Sequence, residues 1–545
     1  MTWEKNDMSK AKVAYLCMEY AVQSAIKTYA GGLGILAGDY LKGAKEQKLP
    51  IVGVGIKWKQ GYTSQKLTPD GRVLDTYQNY PYDGFVDTGK TVKVQVRKRD
   101  VTCRIWRSNE KHGLSDLILL DTDHPDNADS WISGQLYGWF GEERVAQEIV
   151  LGVGGVRALQ LLGIAVDLYH FNEGHAVLAA LELLRQKREK GLSFQEAWKA
   201  TRAQVVFTTH TPIKEGNESH PHELLQYMGA NLGLSVEEMH SLGGTPFNMT
   251  VAALRLSHAA NAVAELHAET AQVMWKDIAD APSIVGITNG IHRGTWVDAR
   301  IPSVVDDGQK LWTLHQELKQ NLIDFVLKRT GKTLAKDKLL IGFARRAAPY
   351  KRSNLLFQSS EGVLKALQDG RMQIVFSGKA HPLDDTGKGI VQDIVRLSRE
   401  IPESVVFLED YDMEIGAMLT RGSDVWLNNP RRPLEACGTS GMKAAMNGVL
   451  NVSILDGWWP EACEHGVNGW AIGDDKVPAT VLEQDERDAK FLGQVLMDEV
   501  LPLYEQNKEQ WIRMMQASIR SITPRFSVEA MLQGYYEKLY NQAPV

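Results

Sequence analysis

Short apolar runs of strand length alternate with helical stretches along this chain, and the alternation starts twice. In the first half, strands are predicted at residues 12–19, 51–56, 91–97, 166–171 and 205–208, and helices at 143–162, 176–186 and 257–275. In the second half, strands are predicted at 339–343, 373–376, 405–408, 425–427 and 450–454, and helices at 354–367 and 528–539. This alternation is typical of α/β folds, in which helices cover both faces of a parallel sheet.

The length of 545 residues also argues for two such units. A single hydrophobic core stops growing at roughly 250–300 residues. We therefore predict two doubly wound, Rossmann-like domains that face each other across a cleft, with the seam near residues 287–296. The predicted boundaries are 1–297 for the first domain, 298–520 for the second and 521–545 for a C-terminal helical segment.

Composition excludes several classes of protein. The 61 basic and 67 acidic residues give a net charge of −6, whereas nucleic-acid-binding domains are usually clearly basic. Four scattered cysteines are too few for a disulfide framework and favour a reducing compartment. The N-terminal heptapeptide MTWEKND is polar, and no window approaches the apolar length of a membrane span. We predict a cytoplasmic protein with no nucleic-acid or membrane partner.

The segment EACGTSGMK, residues 435–443, combines a glycine-rich turn with a lysine. Thr439, Ser440 and Gly441 would open a helix after Gly438, and the N–H groups at a helix start attract anions. Lys443 follows among apolar residues, a suitable position for a Schiff-base lysine beside a phosphate-sized group. A simple helix cap followed by a solvated lysine is the alternative for such a cluster taken alone.

A second segment, RRAAPYKR at residues 345–352, places four cations directly after a predicted strand. Ligands of open α/β sheets bind at the carboxyl ends of the strands. Arginine binds phosphate by paired hydrogen bonds and lysine binds it as a compact charge. The segment therefore indicates a phosphate site, with a solvated basic turn as the alternative.

Together these segments resemble the glycogen, starch and maltodextrin phosphorylases. Six more segments match that family in its order: GGLGILAGD (31–39), HFNEGH (170–175), TTHT (208–211), SHAAN (257–261), TNG (288–290) and GKAHP (378–382). The matches span residues 12–473. The segments LNNPRRPLEA (427–436) and DGWW (456–459) are similar to the compact prokaryotic branch. The first predicted strand begins at residue 12, which leaves no room for a regulatory arm, so we expect no activation by nucleotide monophosphates.

The resemblance implies a role for each matching residue. Lys443 would form the Schiff base with pyridoxal 5′-phosphate, and Thr439, Ser440 and Gly441 would hold the phosphate of that cofactor, with Gly32 and Arg345 nearby. Arg346 and Lys351, together with Arg345, would bind the substrate phosphate, and Gly31 would close over it. Glu435, Cys437, Gly438, Asn289, His175 and His210 would contact the glucosyl unit, with His210 among the catalytic residues alongside Arg346 and Lys351.

Four features depart from the family pattern or suggest other chemistry. Cys437 stands where serine is commoner, and Gly138-Trp139-Phe140 replaces a stretch that usually carries an acidic residue, which puts the acceptor subsites in doubt. The segment His220-Pro-His222-Glu223 lacks the spacing of a metal motif, so we predict a solvated loop and no metal. A G-x-G-x-x-A pattern at residues 32–37 lies in a predicted loop at 30–38, too far from its strand for a dinucleotide turn.

The implied activity is retaining phosphorolysis of terminal α-1,4 bonds of glucans by inorganic phosphate, giving glucose 1-phosphate, on the two-domain architecture called GT-B. A homodimer is one expected assembly. A nucleotide-sugar glucosyltransferase of similar architecture is the first alternative, and it would have no use for a cofactor at Lys443. A catalytically silent glucan-binding protein is the second, and a phosphate-dependent assay separates it from an enzyme.

Overall fold

The computed structural model describes residues 10–542. The polar N-terminal heptapeptide and residues 543–545 lie outside the described residues. Within the described range, no helix combines the length and the apolar character that crossing a membrane requires. All four cysteines have free thiols.

The first half of the described chain forms a mixed sheet of nine strands and two small two-stranded sheets. The order in the large sheet is β13-β12-β9-β8-β1-β2-β7-β6-β5, and only β6 runs antiparallel to its neighbours. The strands are β1 (Val13–Leu16), β2 (Ile51–Ile56), β3 (Ser64–Leu67), β4 (Val73–Thr76), β5 (Phe85–Val96), β6 (Arg99–Ser108), β7 (Leu117–Asp121), β8 (Leu168–Asn172), β9 (Val205–Thr209), β10 (Ser219–His220), β11 (Phe247–Asn248), β12 (Ala259–Ala262) and β13 (Ile284–Gly286).

The second half forms a six-stranded sheet, counted over the described residues, in which every pairing is parallel. Its order is β16-β15-β14-β17-β18-β19. The strands are β14 (Leu339–Ala344), β15 (Met372–Ser377), β16 (Val405–Leu408), β17 (Val425–Asn428), β18 (Leu450–Ile454) and β19 (Gly469–Ile472). The mixed α/β class with parallel sheets is therefore as predicted.

Helices connect the strands in both halves. Those of the first half are α1 (Gly32–Glu46), α2 (Glu142–Ile149), α3 (Gly155–Leu161), α4 (Leu178–Glu189), α5 (Phe194–Arg202), α6 (His222–Met228), α7 (Val236–Gly243), α8 (Met249–Arg255), α9 (Glu265–Trp275) and α10 (Arg293–Trp296). The rest are α11 (Ile301–Val304), α12 (Gly308–Thr330), α13 (Glu361–Gln368), α14 (Asp385–Glu400), α15 (Met413–Gly422), α16 (Thr439–Met446), α17 (Trp459–Ala462), α18 (Val481–Gln494), α19 (Leu501–Gln506), α20 (Lys508–Ile522) and α21 (Val528–Tyr535).

Both faces of the parallel strands are buried, which explains why they are continuous apolar runs. In β1, Ala14 and Leu16 face one hydrophobic core, whereas Val13 and Tyr15 face another on the opposite side of the sheet. Alternate residues of a strand point to opposite faces, so an apolar run without alternation requires cover on both sides. The helices of the first half and α21 provide that cover.

Two predicted segments were wrong. Residues 257–275 were predicted as one helix, but residues Ala259–Ala262 form β12, paired in parallel with β9 and β13, and the helix begins only at Glu265. Residues 30–38 were predicted as a loop, but α1 begins at Gly32. A Cβ at Gly38 would lie 2.2 Å from the Ala21 carbonyl oxygen, so this glycine serves close packing of the helix. Neither a neighbouring strand nor a close backbone approach is visible in local sequence.

The C-terminal segment returns to the first half of the molecule. Val528, Leu532 and Tyr535 of α21 share a core with Tyr40 of α1. The Tyr540 hydroxyl lies 2.6 Å from Nδ1 of His170, the first histidine of the HFNEGH segment. His170 is thus a buried packing residue within β8 of the first sheet.

A hairpin of the first half, β3 and β4, packs against the second half. The Gln65 side chain donates to the Ala380 carbonyl at 2.8 Å and accepts from the Ala380 N–H at 2.9 Å. Lys379 donates to the Thr63 carbonyl at 2.9 Å, and Asp410 pairs with both Lys379 and Lys27. These contacts join the two sheets on one side of the molecule.

Three fully buried polar side chains fasten α12 beneath the second sheet. Asp424 accepts from Lys319 at 2.5 Å and contacts His315 Nε2 at 2.9 Å. We expect Asp424→Asn to lower the free energy of unfolding by about 3–5 kcal/mol, because it leaves a buried ammonium without its counter-charge. The shift in the denaturant midpoint measures this cost. Arg396→Gln, which breaks an exposed pair with Glu400, is the control and should cost under about 1 kcal/mol. Equal shifts in the two variants would contradict the argument.

Candidate active site

The polar segments of both halves follow the carboxyl ends of parallel strands. Arg345 comes directly after β14, and Asp456 follows β18. In the first sheet, Glu19 follows β1, Glu173 follows β8 and His210 follows β9. Because parallel strands end at one edge, residues far apart in sequence are gathered there.

The second sheet carries a buried cation cluster around one carboxylate. Glu435 Oε2 accepts a hydrogen bond from Lys351 at 2.5 Å and a second from Arg345 Nη2. Burial alone would raise the pKa of Glu435, but the charges of Arg345 and Lys351 outweigh burial and lower it to about 2. Arg345 Nη1 is buried without a hydrogen-bond partner among the described residues. The cluster therefore has one positive charge in excess and a donor available for an anion.

Arg346 differs from its neighbours because it is exposed. Within the part of the chain that the structure describes, no carboxylate forms an ion pair with it. The surrounding protein desolvates the guanidinium and would lower its pKa, but Tyr350, Tyr62 and the Glu19 carboxylate outweigh that effect and raise it. Arg346 thus presents a guanidinium without a described carboxylate partner.

Arg352, the fourth cation of the predicted phosphate segment, points away from the cluster. Its guanidinium pairs with Asp485 at 3.0 Å and Asp488 at 2.8 Å and donates to the Pro430 carbonyl at 2.7 Å. Arg352 therefore stabilises the loop after β17 and is unavailable to a ligand.

The start of α16 lies against this cluster. Gly438 adopts φ +89°, a left-handed conformation that favours glycine, and a Cβ there would lie 3.8 Å from Arg345 Nη2. Gly441 fits tightly, since a Cβ would approach Asn451 Oδ1 to 2.7 Å. The Ser440 hydroxyl accepts from Trp426 Nε1 at 3.2 Å. Thr439, Ser440 and Gly441 are thus the first turn of a helix that begins next to Arg345.

Lys443 lies one turn further along α16 and is buried. Its Nζ is 3.5 Å from the centroid of the Trp296 ring. Burial lowers the pKa of Lys443 to about 8, against the opposing effect of Asp39. A lysine in this state has an appreciable unprotonated fraction near neutral pH, which a nucleophilic amine requires.

The first sheet contributes neutral histidines. His210 Nε2 is 2.5 Å from Asn172 Oδ1, and Glu173 accepts from the His210 N–H at 2.8 Å. Burial lowers the pKa of His210 to about 3 and that of His175 to about 4. His175 packs 5.6 Å from the Tyr137 ring, centroid to centroid. At neutral pH both histidines therefore act as hydrogen-bonding groups without charge.

The remaining predicted residues fall into two places. Asn289 is buried with its Oδ1 unpartnered among the described residues, and it interacts with Cys437 across the two halves. Gly31 lies at the start of α1, and its N–H is 3.3 Å from Glu19 Oε2; Gly32 is the first residue of that helix. The glycine N–H predicted to meet phosphate thus contacts a carboxylate in this structure.

Glu19 and Asp456 were missed from the sequence. Glu19 accepts from the N–H groups of Ala30 and Gly31 and from the Tyr137 hydroxyl at 2.8 Å. Asp456 accepts from the Glu435 N–H at 2.9 Å, and burial raises its pKa to about 7. Their position just after a buried strand was the available signal, although it does not reveal their partners.

The prediction of a solvated loop at His220 was wrong. His220 is buried in β10, with Nε2 3.0 Å from Glu148 Oε2, and ligand-type atoms of Glu148, Glu218 and His220 lie within 4.8 Å of one another. Arg144 pairs with Glu218 at 3.0 Å. Burial would lower the pKa of His220, but Glu148 outweighs it and favours the protonated form. Burial raises the pKa of Glu148 to about 7, and Arg144 supplies a positive charge beside the two carboxylates.

Fold and site together define an α/β protein with a buried lysine on a helix whose start lies against a buried cation cluster. A family model described as carbohydrate phosphorylase matches residues 303–465. The maltodextrin phosphorylase of Thermococcus litoralis is 36% identical over 99% of this chain and 72% of its own length. The glycogen phosphorylase of Aquifex aeolicus is 36% identical over 98% and 87%, and that of Mycobacterium tuberculosis 34% over 97% and 71%. The chain belongs to the carbohydrate phosphorylase family and fits its compact prokaryotic type.

Proposed function

We propose that this chain is an α-glucan phosphorylase that uses inorganic phosphate to release glucose 1-phosphate from the ends of α-1,4-glucans. Relatives that align over nearly its whole length are named maltodextrin and glycogen phosphorylases. The observation that carries the proposal is the cation cluster of Arg345 and Lys351 against the start of the helix that bears Lys443. A cation cluster next to a helix start suits two phosphate groups held side by side.

The proposed architecture is GT-B, with residues 1–297 and 298–520 as facing Rossmann-like domains, the active site in the cleft between them, and 521–545 as a helical segment. Two observations support it. The strand ends of both sheets carry the polar segments of the family. Groups from both halves also interact, as Cys437 does with Asn289 and Arg346 with Glu19.

Pyridoxal 5′-phosphate is the cofactor that the family implies, and the residues present fit it. Lys443 offers a buried amine with a lowered pKa, and the first turn of α16 offers backbone N–H groups to a phosphate. The unpartnered Nη1 of Arg345 is a buried donor without an acceptor among the described residues, as an anion site requires. When bound, the cofactor would supply its phosphate group next to the substrate phosphate.

The protein must hold two negatively charged phosphate groups close together, although they repel each other. Arg346, Arg345 and Lys351 are positioned to offset that repulsion, and the burial of Arg345 and Lys351 strengthens their interactions. In this structure Glu435 forms ion pairs with both Arg345 and Lys351. We propose that substrate phosphate takes over contacts of Arg345 and Lys351, which frees the Glu435 carboxylate for a hydroxyl of the terminal glucosyl unit.

In the proposed reaction, the bond between C1 of the terminal glucosyl unit and the glycosidic oxygen breaks, and a bond from C1 to a phosphate oxygen forms. The proton on inorganic phosphate passes to the departing glycosidic oxygen, so no protein acid is consumed. His210, neutral at working pH, contributes hydrogen bonding to the sugar. Glucose 1-phosphate keeps the α configuration at C1 because phosphate attacks from the face of the departing oxygen.

Incubation of the purified protein with inorganic phosphate and a ladder of maltooligosaccharides tests this function. We expect glucose 1-phosphate and stepwise shortening of the ladder, both dependent on phosphate. Release of free glucose, or turnover only with a nucleotide sugar, would contradict the proposal and favour a hydrolase or a glucosyltransferase. Binding without any product would favour a silent glucan-binding protein.

Two exposed aromatic residues are expected to contact the glucan acceptor. Trp139 and Phe140 are 60% and 65% exposed, and the Phe140 ring stacks on His381 of the other half at 6.2 Å. We expect Trp139→Ala and Phe140→Ala to raise KM for long maltooligosaccharides about tenfold, equivalent to ~1.4 kcal/mol of lost stacking. The KM for phosphate should not change. Tyr227→Ala, at another exposed aromatic residue, is the control. Unchanged KM values in both variants would remove these residues from the acceptor site.

A cytoplasmic location and a homodimeric assembly stay predictions. Sedimentation of the purified chain tests the second.

A further inference from the structure

One face of α1 contacts the segment that lies against Lys443. Asp39, Lys42 and Glu46 occupy positions three and four residues apart, which places their side chains on one side of the helix. Lys42 donates to Thr295 Oγ1 at 3.0 Å, and Glu46 lies 2.9 Å from His292 Nε2. This face thus contacts residues 292–296, where the segment that crosses from the first sheet to the second begins.

The Asp39 carboxylate is the centre of these contacts. It is buried, and its two oxygens lie 3.0 and 2.8 Å from Trp296 Nε1. Oδ2 also accepts the His292 N–H at 3.1 Å. Burial raises the pKa of Asp39, whereas the charges of Lys443 and Lys42 and the hydrogen bond from the His292 N–H oppose that effect and favour the charged form.

Trp296 connects this carboxylate to the reactive amine. Its indole N–H is held by Asp39, and its ring face lies 3.5 Å from Lys443 Nζ. A cation over an indole face is stabilised by the ring, and a negative charge beyond the ring adds to that stabilisation. The orientation of the ring, and therefore the place of the amine, depends on Asp39.

We propose that Asp39 and Lys42 form an opposed pair of charges that positions Trp296 and sets the protonation state of Lys443. Asp39 stabilises the ammonium form of Lys443, and Lys42 destabilises it. Burial lowers the pKa of Lys443 to about 8, Asp39 opposes that effect and Lys42 adds to it. The other titratable groups at this face, His292 and Glu46, contact each other at 2.9 Å. Both Asp39 and Lys42 are positioning residues, since they would act on Lys443 through their contacts with Trp296 and Thr295. The inference rests on the proposed function only in assigning the amine to cofactor attachment.

The test measures the titration of Lys443 in the full-length chain after removal of any bound cofactor. Competitive acetylation at a series of pH values, read by mass spectrometry on the peptide that contains Lys443, gives the reactivity of the amine. Lys365, exposed on α13, serves as the internal reference. The readout requires neither cofactor nor glucan, so a failure of this inference is distinguishable from a failure of the proposed phosphorolysis.

Asp39→Asn keeps an oxygen that can accept from Trp296 and His292 but removes the charge. We expect the pKa of Lys443 to fall by about one unit, so that its acetylation at neutral pH becomes about fivefold faster. Lys42→Met keeps the apolar stem and removes the opposite charge. We expect acetylation of Lys443 to become about threefold slower.

Opposite shifts in the two variants support the inference, whereas shifts of the same sign or no shift in either overturn it. A purely structural role would lower the unfolding midpoint of Asp39→Asn and leave the Lys443 titration unchanged. If Asp39→Asn does not fold, Lys42→Met decides alone: slower acetylation supports the inference and unchanged acetylation overturns it.

Discussion

Lys443→Ala is expected to abolish phosphorolysis, with a loss of at least about 10³-fold in kcat, because it removes the amine that we propose holds the cofactor, and with it the cofactor phosphate. Lys443 is buried on α16, the helix whose start lies against the cation cluster. The measurement is glucose 1-phosphate formation at saturating phosphate. Lys365→Ala, on the surface of α13, is the matched control and should retain full activity.

A second experiment separates a tether from an electron sink. Breaking a glycosidic bond requires no carbanion, so the useful part of the cofactor should be its phosphate. Borohydride should fix the cofactor to Lys443 as a stable secondary amine, detectable by mass, and we expect substantial activity to survive. A reduced protein that is folded but inactive would contradict the proposed mechanism. If no adduct forms, the cofactor assignment itself is wrong and the nucleotide-sugar glucosyltransferase becomes the leading alternative.

Arg346→Ala and Lys351→Ala are each expected to cost about 2–4 kcal/mol of transition-state stabilisation, or roughly 30- to 1000-fold in kcat/KM. The two losses should differ in character. Lys351→Ala also leaves Glu435 with Arg345 as its only cation in the cluster, so it should perturb the pH dependence as well. Arg346 makes no ion pair with a described carboxylate, so its loss should fall mainly on phosphate binding and turnover.

Arg396→Ala, exposed on α14, controls for the removal of a positive charge. Kinetics at varied phosphate separate KM from kcat for each variant. Near-wild-type turnover in both Arg346→Ala and Lys351→Ala would refute the phosphate assignment. A loss confined to Lys351→Ala would indicate that Arg346 serves another group.

Much of the site could be predicted because its chemistry is local in sequence. Lys443 and the helix start at Thr439–Gly441 lie within a few residues of one another, and Arg345 directly follows a buried strand. The alternation of strands and helices likewise follows from burial of both sheet faces, which a run of apolar residues records. The order of the family segments along the chain could be recognised without knowledge of the fold.

Other features depend on the path of the chain in space. Arg352 shares its segment with Arg346 but adopts φ 51°, which turns its side chain toward Asp485 and Asp488. Residues 259–262 resemble a helix in composition. They form a strand because β9 and β13 pair with them on either side. In each case the deciding partner lies far away in sequence.

The sequence by itself determined the class of fold, the lysine in the helix after the glycine turn and the cations that follow β14, because these depend on periodicity and on short segments. Only the tertiary structure decided that Glu19 binds the glycine N–H groups, that Asp456 supports Glu435 and that Asp39 lies behind Trp296. The physical reason is that parallel strands end at one edge, so the loops that meet there come from distant parts of the chain. Which of their side chains come within hydrogen-bonding distance depends on the pairing and packing of both sheets, and no local pattern records it.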